Sequence, residues 1–155
     1  GIWRRFQRVG LRGDVLVVSD YGHHPTAISR TLEGARAFFP DQRIVLAFQP
    51  HQRNRTRKLF EEFVASFDGA DALVLAEIFD VAGREAAEDA EVSSKKLVEA
   101  VKRRDEEHGK QREVLYAESP DDARLTLEGI ISPNDVVIVM GAGDIYKIAE
   151  KLVTF

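Results

Sequence analysis

Residues 15–26 read VLVVSDYGHHPT: a short apolar run, then a polar loop, then a proline and threonine at the mouth of a helical pattern. A near-continuous Val/Leu run of this length suits a strand covered on both faces, as parallel sheets require. Comparable runs recur downstream in IVLAF (44–48), ALVLA (72–76), EVLYA (113–117) and VVIVM (136–140). Amphipathic segments follow them at 26–38, 56–67, 93–107, 120–131 and 144–153. In the second, Leu59, Phe60, Phe63, Val64 and Phe67 share one helical stripe. This alternation of strand and helix predicts an α/β fold, a Rossmann-like three-layer sandwich with right-handed crossovers. Ahead of the first run, WRRFQRVGLRGDVLVV holds two β-compatible runs around a glycine-containing turn. Residues 3–9 are therefore expected to pair antiparallel with the first parallel strand. The sum is a mostly parallel sheet of about six strands with one antiparallel N-terminal strand.

The chain has 155 residues, the size of one domain with a real core. With 44% hydrophobic and 31% charged residues it has the composition of a soluble globular protein. A formal charge of −4 gives no basic footprint for nucleic acid. No apolar run approaches the ~20 residues that span a bilayer, so no membrane partner is expected. The absence of cysteine excludes disulfides and thiolate zinc sites and fits a cytoplasmic location. Strand-like sequence begins almost at Gly1, and we read residues 1–155 as one domain of a longer polypeptide. The acidic stretch at 80–94 is expected to be an exposed loop.

In open α/β sheets ligands bind outside the carboxyl ends of the strands. The segments to search are DYGHHPT (20–26), QPHQRNRT (49–56), EIFDVAG (77–83), ESP (118–120) and GAGD (141–144), and three of the four histidines fall in the first two. In the first, Asp20 ends the strand, Gly22 permits a turn and Pro25 suits a first helical turn. Asp20 either caps its own turn or grips a ligand hydroxyl, as the acidic residue of nucleotide sites does. His23 and His24 are adjacent, so their side chains diverge; zinc pairs sit a helical turn apart, and no metal site is assigned even with His51 nearby. In the second segment Arg53, Arg55, Arg57 and Lys58 crowd a helix N-terminus, against the macrodipole, which suggests an anionic ligand. A solvated basic patch is the alternative. The glycines of GAGD let backbone come close to a neighbour, but the segment is not GxGxxG (Tyr146 takes the last slot), and nothing matches GxxxxGK[ST]. Any ATP chemistry must draw its phosphate cradle from elsewhere.

The segments VSDYGHHPTAI (18–28), FQPHQRNRTRKLFEEF (48–63), DVAGRE (80–85) and MGAGDIYKIAEKL (140–152), in this order, resemble the C-terminal domain of the Mur ligases. The branch that joins L-alanine to UDP-N-acetylmuramate is the nearest, and the likeness covers essentially the whole chain. It implies a three-domain ATP-dependent ligase. The first domain would hold the UDP-sugar; the second would carry the P-loop and the Mg2+ ligands; the third, this one, would contribute to ATP and amino-acid binding. Partners implied are UDP-N-acetylmuramate, L-alanine and the two other domains. By motif match Asp20 and Tyr21 would contact ATP. His23 and Arg55 would face the acyl phosphate and act in catalysis. His24, His51, Arg53 and the turn Gly141, Ala142, Gly143, Asp144 would shape or contact the substrate region.

There are departures. The family commonly carries arginine directly after the FQPH histidine, where this chain has Gln52, and a PAGE motif where it has VAGRE. Two other readings stand: a recycling ligase that joins a whole tripeptide to the same UDP-sugar, and a non-catalytic nucleotide or anion-binding module. The first usually has Phe-Ala where this chain has Tyr21-Gly22.

Overall fold

All five apolar runs become strands of one sheet in a computed structural model that describes residues 5–80 and 91–154. The elements are β1 (Gln7–Arg12), β2 (Val15–Asp20), α1 (Pro25–Phe38), β3 (Ile44–Phe48), α2 (Arg53–Lys58), α3 (Phe60–Ser66), β4 (Ala72–Ala76), α4 (Ser94–Glu107), β5 (Val114–Ala117), α5 (Pro120–Ile130), β6 (Val136–Met140) and α6 (Tyr146–Val153). The strand order is β1-β2-β6-β3-β4-β5; β1 pairs antiparallel with β2, and every other neighbouring pair is parallel.

The runs lack alternation because both faces are covered. On one, Val18, Leu46, Leu73 and Ile138 pack with Ile28 and Leu32 of α1, Phe63 of α3 and Leu97 of α4. On the other, Val17, Val74 and Val137 meet Leu127 of α5 and Ile148 of α6. Phe48 packs between Phe63 and Phe67, with ring centroids 5.9 and 5.7 Å away. The chain therefore leaves β2 and β3 towards one face and β6, which lies between them, towards the other. Their loops diverge, the topological switch at which open sheets hold ligands.

The N-terminal strand differs from expectation in its bounds. It spans Gln7–Arg12, not residues 3–9, because the turn lies at Gly13-Asp14, with Gly13 at φ 61° and Arg12 opposite Val15. Gly10, which reads as a turn residue, sits inside the strand beside a bulge. A Cβ there would lie 3.4 Å from Val153, so the glycine admits α6 close to the sheet. The single helix expected over 56–67 is two, broken at Leu59, and it begins earlier, at Arg53. Residues 81–90, which include the VAGRE motif and most of the acidic stretch, lie outside the described residues. Among the described residues no helix is long and apolar enough to cross a membrane.

Candidate functional site

The loop after β2 is held by its own side chains. Asp20, 8% exposed, accepts the Gly22 N–H at Oδ1 (2.7 Å) and the Phe6 N–H at Oδ2 (3.0 Å). Gly22 is confined: a Cβ there would stand 2.4 Å from Met140 Cε. His24 is the N-cap of α1, its Nδ1 accepting the Thr26 N–H at 3.3 Å, and Pro25 takes the first turn. His24 is thus a structural cap, while the His23 ring turns towards the next loop. Its centroid lies 5.6 Å from that of exposed Tyr21 and 6.1 Å from that of His51.

The loop after β3 is stitched to the end of β4. Pro50 O accepts the Phe79 N–H (2.8 Å), Phe79 O accepts the Gln52 N–H (2.7 Å), and Asp80 Oδ2 accepts the Arg53 N–H (2.9 Å). The His51 ring stacks on Phe79 at 5.3 Å and 14°. Gln52 sits at φ 69°, an uncommon conformation for a residue with a Cβ and one that collects at functional loops. Gln49 Oε1 and His51 Nδ1 are buried without a hydrogen-bond partner among the described residues. Burial, then the charges of His23 and Arg55, hold the His51 imidazole below its ordinary range, against a smaller opposing pull from Asp80.

Two cations of this loop part company. Arg53 points inward, donating from NH1 to Val92 O (2.6 Å) and lying 3.9 Å from Glu77 Oε2. Arg55 is half-buried in the first turns of α2, and none of the carboxylates among the described residues pairs with it.

The GAGD turn is the keystone of the three loops. Gly141 donates its N–H to Asp20 O (3.1 Å), and a Cβ on it would stand 2.9 Å from Gln49 O. A Cβ on Gly143 would stand 2.7 Å from Phe79 Cγ. The close approach that these glycines permit is therefore to the neighbouring loops of the protein itself. Ala142 is half-buried, and Asp144 is exposed at the rim.

Phe79, Asp80 and Glu77 belong to the site's frame, although residue types alone do not single them out; only their position after the third apolar run points to them. Among the described residues no group of three or more His, Cys, Asp or Glu side chains could hold a metal ion.

The family described as "Mur ligase, glutamate ligase domain" matches residues 4–143. The UDP-N-acetylmuramate--L-alanine ligase of Trichlorobacter lovleyi is 42% identical over 153 residues, covering 99% of this chain and 32% of the relative. That of Geotalea uraniireducens is 44% identical over 153 residues, covering 99% and 31%. The crystal structure of UDP-N-acetylmuramate-alanine ligase from Thermotoga maritima superposes with a TM-score of 0.71 at 26% identity, over 99% of this chain and 30% of that one. The chain spans about a third of the length of the curated relatives it matches.

Proposed function

From the premise that this chain belongs to the Mur ligase family and is its C-terminal domain, we propose that it serves a ligase joining L-alanine to UDP-N-acetylmuramate. ATP, when bound, supplies the γ-phosphoryl group that turns the muramoyl carboxylate into an acyl phosphate, with ADP as the leaving group. The alanine amine then attacks the acyl carbon, phosphate leaves, and the amine gives up a proton. This domain would supply binding and charge at the face of that reaction.

One observation carries the reading. His23 and His51, ring centroids 6.1 Å apart, and Arg55, which the His51 imidazole feels electrostatically, converge from two loops at the topological switch. Among the described residues no carboxylate pairs with Arg55, which suits developing negative charge on a phosphoryl or carboxylate group. His23 and Arg55 would touch the reacting group. His51, enclosed and biased to the neutral form, would orient the loop and offer a hydrogen bond. Asp20 and Tyr21 would meet the nucleotide ribose: each Asp20 oxygen holds one backbone N–H and keeps a second lone pair for a hydroxyl. Mg2+ would be held by parts of the polypeptide beyond this chain.

The test assays the parent polypeptide for UDP-N-acetylmuramoyl-alanine, comparing wild type with His23→Ala and Arg55→Ala. Each variant is expected to lose about 10²-fold in turnover, the scale of one lost transition-state charge contact. Normal rates in both would make these loops structural and sink the assignment.

A further inference from the structure

The end of β4 holds a carboxylate that the proposed chemistry does not use. Glu77 Oε2 accepts the N–H of Ile78 (2.8 Å) and of Ser94 (3.0 Å). Glu77 Oε1 accepts the Tyr116 hydroxyl (3.0 Å), whose proton burial and this hydrogen bond retain, with the phenol pushed up to about 12. Arg53 lies beside Oε2 and reaches on to Val92 O. Gln49 Nε2 donates to the Glu77 carbonyl (3.0 Å). One half-buried residue thus gathers the start and end of the segment after β4, the end of β5, and the loop carrying His51 and Arg55.

We propose that Glu77 is a positioning residue, which sets the first turn of α2 through Arg53 and so aims Arg55 and His51 at the substrate. Arg53 is the first residue of α2 and Arg55 the third. The Arg53 backbone is fixed by Asp80 and its guanidinium by Glu77 and Val92, so both ends of that residue are tied to the segment between β4 and α4. Gln52, just before, is held at positive φ by the Phe79 carbonyl. Strain of this kind persists only where the surroundings over-determine it. Glu77→Gln keeps the shape: its amide oxygen in the place of Oε2 still accepts from Ile78 and Ser94, and its NH2 faces the Tyr116 hydroxyl oxygen. It removes the charge beside Arg53, so the guanidinium keeps Val92 O but loses its carboxylate, and the left-handed residue can relax.

The inference rests on the ligase reading for its kinetic arm and stands without it for its structural arm. In the chain itself, Glu77→Gln is expected to speed amide exchange at Gln52 and Arg53 about tenfold, with the β6 amides unchanged; this is local opening, not global loss. Unaltered exchange at Gln52 and Arg53 overturns the proposal. In the parent ligase, Glu77→Gln and Arg53→Met should each cost about tenfold in kcat/KM for L-alanine, the size of losing an outer-shell support, and leave KM for ATP unchanged. Their double variant should be no worse than either alone, because both act along one path. Losses that multiply in the double variant, or equal rises in both KM values, would show that Glu77 does not act through Arg53. A wild type inactive with L-alanine would instead count against the ligase reading, and the exchange measurement would still decide this one.

Discussion

The imidazole of His51 stacks on the ring of Phe79, centroids 5.3 Å apart and planes 14° from parallel. The same Phe79 ring fills the space over Gly143, where a Cβ would come within 2.7 Å of Cγ. The third and fifth strand-end loops thereby meet at one aromatic ring, and the second leans on it. A change at Gly143 is felt at His51.

Gly143→Ala should therefore destabilise the domain by about 1–3 kcal/mol, as overpacking does, because the neighbour it strikes is the root of an aromatic ring. Urea unfolding of the chain measures it. In a Phe79→Ala background, which removes Cγ, the cost of Gly143→Ala should be smaller, whereas an unchanged midpoint for Gly143→Ala alone would show that the turn has room.

The His51 imidazole is held below 6.5, first by burial and then by His23 and Arg55. The unfolded chain then binds the proton more tightly than the folded one. This contribution to stability is present above the unfolded value and is lost as the pH falls through the folded one. Urea midpoints between about pH 5 and about pH 8 should rise with pH more steeply in wild type than in His51→Gln. Equal slopes would place His51 in a wetter setting than this.

The charged stretch DEEHGK (105–110) reads as a solvated face, and His108 within it is exposed. Yet Arg112, its side chain 1% exposed, makes a two-point pair with Asp105 at 2.9 and 3.1 Å and donates to Phe67 O and Ala70 O. Arg112→Ala leaves the Asp105 carboxylate buried and two carbonyls without their donor. It should cost about 3–5 kcal/mol, read by urea unfolding. A loss below about 1 kcal/mol would mean that water replaces the guanidinium.

The isolated chain carries no GxxxxGK[ST] phosphate cradle, so ATP should bind it at about 1 mM or weaker, about −4 kcal/mol or less favourable. Calorimetry giving micromolar binding would show that Asp20, Tyr21 and their neighbours suffice alone.

The sheet was legible because fully buried strands leave uninterrupted apolar runs: three of the five predicted runs, 44–48, 72–76 and 136–140, match their strands residue for residue. The first strand was misplaced because Gly10 and Gly13 are alike in sequence, and only packing against Val153 distinguishes a close approach from a turn. Within the site, polar density after the strands pointed to His23, His51 and Arg55. It could not tell that Arg53 turns inward while Arg55 does not. That difference depends on Glu77 and Val92, distant in sequence and brought together only by the parallel register of β3 and β4. Phe79 lay in a searched segment, EIFDVAG (77–83), but its residue type did not single it out: an aromatic after a buried run looks like core.

The most direct test of the central claim takes the parent polypeptide with UDP-N-acetylmuramate, ATP and magnesium and tracks ADP release with L-alanine against the murein tripeptide. Release that depends on L-alanine is the predicted result. Release with tripeptide alone would assign the chain to the recycling ligases, and no release with either would contradict the ligase account.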